Sequence, residues 1–316
     1  MTVTRYIRSA QLQKGIRLMK HRIATITLCL LVAAITGRVA AQDGWYLRTN
    51  LGFAVAPGLT IDARDNDWGT KCDKLSNPGL AETGPNDCLS APPPAQWTHE
   101  VGRGSGVQSV LALGFSWNDL RFEGEYLYRT STHKQDEGEL QVLDVVTQEK
   151  QQQELETLEG GLEDLMAHSF FVNAYYDFRS DSPFTPYVGI GVGVARTSLD
   201  YYGRFQRNDD PAAISTFEDP LLKARLAGTT TVGRHKMNDL LAAYQAVAGV
   251  DYALSDKVGI GARFRWSKFS EFDDEKPWTQ LRSHASSVGR GFDVMYGVST
   301  SGLMMIGASL NMKYSF

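Results

Sequence analysis

The last ten residues of the chain, GASLNMKYSF, alternate between small or polar and apolar side chains. Successive side chains of a β-strand point to opposite faces, so this stretch predicts a strand with one apolar and one polar face. The same alternation occurs in seven earlier stretches: WYLRTNLGFAV, VQSVLALGFSW, LRFEGEYLYR, FFVNAYYDF, PYVGIGVGVAR, AAYQAVAGVDY and VGIGARFRW. The pattern therefore predicts eight amphipathic strands, each of about the length that a tilted strand needs to cross a bilayer.

The connections between these stretches fall into two classes of length. Three are short, at 118–119, 179–183 and 255–257, and four are long, at 56–105, 130–167, 198–239 and 270–302. Short turns at one end and long loops at the other are typical of outer-membrane barrels, whereas structureless loops of this length argue against a compact soluble sandwich. We therefore predict an all-β fold, an eight-stranded antiparallel transmembrane β-barrel with four long extracellular loops and short periplasmic turns.

The polar face of these strands would point into the barrel, where eight strands leave an interior that side chains can fill. This face carries charges of both signs, and buried charges persist when they are paired and hydrogen-bonded. The sequence thus predicts a salt-bridged network that plugs the lumen, with a charged pore lining as the alternative. Its predicted members are Arg48, Arg121, Glu123, Glu125, Arg129, Asp177, Asp251, Arg263, Arg265 and Lys313.

The fifth stretch contains three alternating glycines, Gly189, Gly191 and Gly193, on its polar face. No helical pattern follows them, as a dinucleotide-binding loop would require. We expect these small residues to make room in a narrow lumen for long side chains from other strands.

The phases of the strands place aromatic residues at two levels, as expected for rings that favour the membrane interface. If both termini are periplasmic, the inner level comprises Trp45, Trp117, Phe178, Tyr252 and Phe316. The outer level comprises Tyr128, Phe170 and Trp266, and the outward cations Arg196 and Lys268 lie near it. Long cationic side chains at this level can reach the phosphates of lipopolysaccharide.

The N-terminal segment has the layout of a secretory signal peptide. Lys20 and Arg22 precede an apolar run over 23–35, and small residues end at Ala41. We therefore predict a signal peptide and N-terminal extension over 1–41, cleavage after Ala41, and a single barrel domain over 42–316. The translation start, Met1 or Met19, stays open.

Composition excludes some classes of function. Residues 1–41 hold seven of the 32 Lys and Arg residues and none of the 36 Asp and Glu residues, so the chain after cleavage carries a formal charge of −11. That balance argues against nucleic-acid binding. Cys72 and Cys88 would remain, and we predict a disulfide between them in an oxidising compartment, with two free thiols as the alternative. No His lies between them, so we expect no metal site.

Together, the start GWYLRTNLG, the eight amphipathic stretches and the final MKYSF resemble the OmpA-like and Opa-like small outer-membrane barrels of Gram-negative bacteria, including opacity-type porin-like proteins. The resemblance implies the cell outer membrane as location, outer-membrane lipid as surroundings, no shared catalytic residues and no cofactor. It also implies that the apolar stripe faces lipid and that Tyr314 and Phe316 belong to a signal read by the barrel-assembly machinery.

The long connections are the remaining candidates for function. In the second loop, Leu155, Leu158, Leu162 and Leu165 have the three-four spacing of a short amphipathic helix.

No spacing typical of a catalytic site occurs, so we expect a non-enzymatic protein that acts through surface interaction, adhesion or outer-membrane integrity. A narrow ion or solute channel is the alternative, and an outer-membrane hydrolase is a more distant one. We expect the partner to be a surface protein or a polyanion. The third loop carries a basic set that could bind it: Arg204, Arg207, Lys223, Arg225, Arg234, His235 and Lys236. The fourth loop carries the acids Glu271, Asp273, Asp274 and Glu275.

Overall fold

The structure, a computed structural model, describes residues 43–65, 95–133, 141–142, 155–214, 219–277 and 295–316. The predicted signal peptide over 1–41 and the predicted Cys72–Cys88 pair lie outside these ranges. In the described part, no helix is long and apolar enough to span a membrane.

Eight strands form a closed antiparallel barrel, which confirms the predicted fold class. Around the barrel they follow the order β1, β13, β10, β9, β8, β7, β5, β4, and β4 pairs with β1 to close it. Their bounds are β1 Gly44–Ala56, β4 Gly104–Trp117, β5 Leu120–His133, β7 Leu155–Asp177, β8 Phe184–Arg207, β9 Thr230–Ala253, β10 Val258–Phe269 and β13 Met304–Ser315. Where the eight strands run side by side, closure leaves no strand edge unpaired, which lipid requires.

A second sheet has the order β11, β12, β2, β3, β6. Its strands are β2 Leu59–Asp65, β3 Ala95–Val101, β6 Gln141–Val142, β11 Phe272–Pro277 and β12 Met295–Thr300. We call it the loop sheet, because it is built from the predicted first, second and fourth loops. We call the barrel end that carries the turns 118–119, 178–183 and 254–257 and the residue Phe316 the terminal end, and the other end the loop end.

The loop sheet continues one half of the barrel wall. β2 follows β1 after Pro57 and Gly58, β4 follows β3 after two residues, β11 follows β10 after two, and β13 follows β12 after three. The order β11, β12, β2, β3 therefore repeats the barrel order β10, β13, β1, β4. Each break allows the chain to change direction; at 301–303, for example, Gly302 has φ +79°, a backbone conformation that favours glycine.

The other half of the wall continues without a break. β7, β8 and β9 contain 23, 24 and 24 residues, against 12 to 14 for each of the other barrel strands. The loop sheet and these extensions share one apolar core, in which Trp97, Leu199 and Met237 are at most 1% exposed. At the loop end the barrel thus becomes a two-sheet sandwich, and each of the four predicted long loops contains strand residues in the part that the structure describes.

The third long connection was predicted wrongly as a loop over 198–239. β8 runs to Arg207 and β9 begins at Thr230, with their pairing continuous to Gln206 and Thr230. Between them lie a 3₁₀ turn, Pro211–Ala213, and a short helix α1, Pro220–Leu226, whose first turn is capped by the carboxylate of Asp219.

The predicted amphipathic helix is wrong as well, because Leu155–Asp177 is the single strand β7. Leu162 and Leu165 are both fully buried on its inner face although they lie three positions apart. A register shift between Leu162 and Asp164 reverses the parity of the strand at that point. A β-bulge therefore produced a spacing that resembled a helix.

The outer surface of the barrel confirms the predicted strand faces. Along β8, Val188, Ile190, Val192 and Val194 point outward and are exposed, and the next outward residue is Arg196. Farther along the extended strands the outward side chains become polar. The outward apolar residues thus form a bounded band around the barrel, as expected for a wall in contact with hydrocarbon.

Candidate functional site

Inside the barrel, Glu123 on β5 is the centre of a buried network of charges. Its carboxylate lies 3.3 Å from Arg48 Nε on β1 and 3.3 Å from Arg263 Nη1 on β10, and these three side chains are fully buried. The hydroxyl of Tyr46 donates a hydrogen bond of 2.9 Å to Glu123 Oε1. One carboxylate thus connects strands from opposite walls of the barrel.

Glu125, two residues farther along the same face of β5, is also bound by two arginines. Arg265 Nη2 lies 2.6 Å and Arg263 Nη1 3.2 Å from Glu125 Oε2. Gln245 Nε2 donates a hydrogen bond of 3.3 Å to the other carboxylate oxygen. Charge-assisted bonds of this kind are about twice as strong as neutral ones, so both acids of β5 are held firmly.

Closer to the terminal end, a second set of pairs continues the network. Asp251 on β9 accepts from Arg48 Nη2 at 2.8 Å and from Arg121 Nη1 at 3.0 Å. Arg121 Nε in turn lies 2.8 Å from Asp177 on β7. Arg48 therefore joins the two sets, since it contacts both Glu123 and Asp251.

Two tyrosines fill the space between these groups. Arg263 Nε donates to the hydroxyl of Tyr187 at 3.0 Å, and Arg121 lies over the ring of Tyr187, 4.4 Å from its centroid. Tyr175 packs edge-on against Tyr187 at 5.8 Å. A Cβ atom added at Gly189 would collide with the ring of Tyr175, which is the role expected for the small residues of β8.

Of the ten predicted members of the network, the structure brings eight together through the ion pairs above. Arg129 lies in the lumen but bonds only to the hydroxyl of Ser267, at 2.9 Å, among the described residues. Lys313 is partly exposed near the terminal end, with its ammonium 5.5 Å from the ring centroid of Tyr46.

Toward the loop end the filling of the interior changes from charged to aromatic and aliphatic. Trp97 Nε1 donates to Tyr201 Oη at 3.3 Å, which joins the loop sheet to β8. Tyr296 on β12 stacks on His235 of β9, with centroids 4.9 Å apart and planes inclined by 20°. Sequence reasoning missed this core; the alternation in AQWTHEV and in the residues of 195–201 is the signal that would have indicated it.

Burial shifts the pKa values of ionisable side chains in this core. Burial lowers the pKa of His99 to about 4, and the carboxylate of Asp62 opposes this effect only in part. Burial also lowers the pKa of His235 and raises that of Tyr201. His235 had been predicted as part of a surface basic set, but it points into the core and is 7% exposed, so that assignment is wrong.

The outer face of the extended strands carries charges of both signs. Arg234 on β9 pairs with Glu163 on β7 at 2.8 Å and lies over the ring of Tyr202 at 5.7 Å. Lys236 is opposite Asp200 in the register of β8 and β9. These two members of the predicted basic set are therefore interleaved with acids on this surface.

At the terminal end, exposed aromatic residues gather on the outside of the barrel. Trp45 lies against Phe115 at 5.4 Å, Tyr176 against Phe178 at 5.1 Å, Phe184 against Tyr252 at 4.8 Å, and Tyr314 against Phe316 at 5.6 Å. The backbone N–H of Phe316 donates to Trp45 O at 3.1 Å, so the last residue is tied to the first strand. Near the other border of the apolar band, Tyr244 packs against Trp266 at 5.7 Å.

In the described ranges, no three His, Cys, Asp or Glu side chains are placed to hold a metal ion. The filled interior and the apolar band bounded by aromatic residues give the protein the architecture of a small eight-stranded outer-membrane β-barrel. Residues 106–207, from β4 to the end of β8, match a family model described as surface antigen.

Comparison with solved structures finds other outer-membrane barrels at low sequence identity. Neisserial surface protein A is 14% identical, with 86% of this chain and 97% of that chain covered and a TM-score of 0.39. OprG from Pseudomonas aeruginosa is 12% identical, with 88% and 100% covered and a TM-score of 0.42. Ail of Yersinia pestis, solved with the heparin analogue sucrose octasulfate, is 11% identical, with 85% and 99% covered and a TM-score of 0.28. No curated protein matches the chain at a significant level.

Proposed function

We propose that this protein is a non-enzymatic outer-membrane barrel with a closed lumen, which acts through the surface at its loop end in surface interaction, adhesion or outer-membrane integrity. The observation that carries the proposal is that side chains fill the interior of the barrel at two separate levels. The network around Glu123 crosses the barrel between opposite walls, and the core around Trp97 fills the space between the loop sheet and the extensions of β7 to β9. An ion entering from either end would have to displace one of these fillings.

Recording from planar lipid bilayers tests the closed lumen. Purified, refolded protein is expected to give only rare and small current steps over a range of voltages. The Glu123→Gln variant should remain equally silent if it folds, because it removes one partner without removing bulk. Large, stable and charge-selective conductance of the unmodified protein would replace this proposal with a narrow channel.

We also propose that the terminal end is periplasmic and the loop end extracellular. The turns at the terminal end are short, and outer-membrane barrels place short turns on the periplasmic side. The outward cations Arg196 and Lys268 then lie at the extracellular border of the apolar band, within reach of lipopolysaccharide phosphates. Single cysteines in a variant that lacks Cys72 and Cys88 test this orientation. Asp209→Cys should react with an impermeant maleimide on intact cells and Ser255→Cys should not, and the reverse result would invert the protein.

The partner that we propose for the loop end is a protein surface, with a polyanion as the alternative outcome of the test. Arg234 and Lys236 stand beside Glu163 and Asp200, so this face offers ordered charges of both signs. Cells that display the protein should bind protein-coated surfaces, and binding should fall when residues 202–234 are replaced by a tight turn. Binding to immobilised heparin that is lost in an Arg234→Gln, Lys236→Gln variant would identify a polyanion partner instead.

The same proposal includes Tyr314 and Phe316 as an assembly signal for the barrel-assembly machinery. Deletion of Phe316 should slow insertion and expose the chain to periplasmic proteases, whereas Ser315→Ala should not. Unchanged amounts of heat-modifiable, membrane-inserted protein after deletion would show that the terminal aromatic residue is not part of the signal.

A further inference from the structure

The buried charges of the lumen do not balance. Histidines aside, the charged side chains that are buried in the described part of the chain are five arginines and four acids. Four of the arginines and all four acids belong to the ion-paired network around Glu123 and Asp251. The fifth arginine is Arg129, which forms no ion pair in the ranges that the structure describes.

Arg129 is fully buried and reaches across the whole lumen. Its Nη2 donates to Ser267 Oγ at 2.9 Å, and the strands that carry these two residues, β5 and β10, are diametrically opposite in the barrel order. Its Nε and Nη1 atoms are buried and have no hydrogen-bond partner. The guanidinium group therefore presents two unused donors inside the barrel, against the wall formed by β10.

The neighbouring charge on that wall is also positive. Arg265 lies two residues before Ser267 on the same inner face of β10, and its charge acts repulsively on Arg129. Arg265 uses Nη2 to bind Glu125, while its Nη1 atom is buried without a partner. Glu125 attracts Arg129 less strongly than Arg265 repels it, and Glu125 is itself bound by Arg263 and Arg265.

A guanidinium group cannot relieve this excess by losing a proton, since arginine stays protonated in proteins. A charge removed from water needs a partner of opposite sign or extensive hydration. Lys313 is the one other cation of the predicted network that forms no ion pair with a described residue, and it is partly exposed near the terminal end, where water can reach it. Among the residues that the structure describes, the unbalanced charge in the interior is thus a single unit located at Arg129.

We propose that the lumen binds one small monovalent anion, of the size of chloride, between Arg129 and Arg265. The single excess charge selects a monovalent ion, and three unused guanidinium donors, Nε and Nη1 of Arg129 and Nη1 of Arg265, can bind it. Side chains fill the interior on both sides of this level, so we expect the site to admit an ion of the size of chloride, bromide or nitrate and to exclude larger anions. The anion enters as the barrel closes and becomes part of the folded structure.

Refolding at constant ionic strength tests the site. Protein refolded from urea into detergent with sodium chloride is compared with protein refolded in sodium gluconate, whose anion is too large for the lumen. The thermal midpoint should rise by about 3–6 °C for each tenfold increase in chloride above the dissociation constant. Equal midpoints of the unmodified protein in the two salts would overturn the proposal.

Two variants locate the effect. Arg129→Gln should abolish the dependence on chloride, and Arg234→Gln, which removes an exposed arginine, should retain it in full. A response that persists in Arg129→Gln would overturn the assignment. If Arg129→Gln does not fold, Arg129→Lys serves instead, because it keeps the charge and should keep a chloride response that gluconate does not produce.

Direct detection uses bromide, which scatters anomalously. Crystals of protein refolded in sodium bromide should show an anomalous peak within contact distance of the guanidinium groups of Arg129 and Arg265. Featureless anomalous density at Arg129, with water bound there instead, would overturn the proposal even if stability depended on chloride.

Discussion

The lumen and the loop end of this barrel are filled by opposite kinds of chemistry. In the lumen, arginines and acids from facing walls bind one another, and each carboxylate of β5 contacts two arginines. At the loop end, Trp97, Tyr201 and Tyr296 pack with aliphatic residues of both sheets. Charged groups are costly to bury unless every partner is present, whereas apolar groups tolerate partial rearrangement. The first region should therefore fail as a unit and the second locally.

The largest effect is expected from Glu123→Gln. This change leaves Arg48 and Arg263 without their shared carboxylate in a dry interior, and the expected loss is about 3–5 kcal/mol of stability. Urea unfolding of the refolded protein in detergent measures this loss of stability, and we expect the whole barrel to unfold in one transition. Glu163→Gln is the control, because its ion pair with Arg234 is exposed and should contribute at most about 1 kcal/mol. Equal effects of the two changes would remove the distinction between lumen and surface.

Trp97→Ala should damage the loop end and leave the barrel intact. Loss of a fully buried tryptophan costs about 3–5 kcal/mol of stability. Here we expect that loss to weaken the packing of the loop sheet against the extensions of β7 to β9, and not the barrel itself. Proteases should then cleave the loop end while heat-modifiable mobility of the barrel stays normal. Thr60→Ala, on the exposed face of β2, should change neither property. Global unfolding of Trp97→Ala would mean that the two regions form one cooperative unit.

Acid should weaken the loop end before it weakens the lumen. The pKa of His99 is about 4 in the folded protein and 6.5 when exposed, so the undocked state binds more protons between these values. The stabilising contribution is complete above pH 6.5 and is lost as the pH falls toward 4, by at most about 3 kcal/mol. Asp62 and Tyr201 are the groups that face His99, and the nearby His235 acts in the same direction. Protease sensitivity between pH 7.5 and 4.5 should rise for the unmodified protein and much less for His99→Phe.

The smallest effect concerns the fit of side chains in the lumen. Gly189→Ala places a methyl group against the ring of Tyr175, which must move, at an expected cost of about 1–3 kcal/mol. Gly124→Ala is the matched control on β5, because its new methyl group would meet only Leu113 O, at 3.9 Å. If thermal unfolding shows no difference between the two variants, the lumen is packed less tightly than the structure indicates.

Much of the barrel could be predicted from the sequence. Lipid on one side and a polar interior on the other force strict alternation, so the outward residues Leu51, Ile190 and Leu310 were assigned to the correct face. The short turn at Asn118 and Asp119 was also evident; Asn118 adopts φ +49°, which asparagine tolerates better than most residues. The predicted members of the lumen set were recognised by the same parity.

The particular pairs in that set could not be read from the sequence. Arg48 contacts Glu123, 75 positions away, and Asp251, 203 positions away, because strand tilt and register bring β1, β5 and β9 to one level of the interior. No local signal records that arrangement. For the same reason, the sequence did not indicate that Arg129 has no carboxylate partner among the described residues. This becomes apparent only when every other pair is assigned.

The loop end shows most clearly what could not be predicted from the sequence. Alternation alone determined which residues of the chain face lipid, because contact with hydrocarbon is decided strand by strand. Only the tertiary structure decided how far β7, β8 and β9 continue beyond the apolar band. It also decided that the loop-sheet strands β2, β3, β11 and β12 fold over these extensions. Outside the membrane an extended segment is stable only when another sheet covers its apolar face, and Trp97, His235 and Tyr296 acquire that cover from strands that are distant in the sequence.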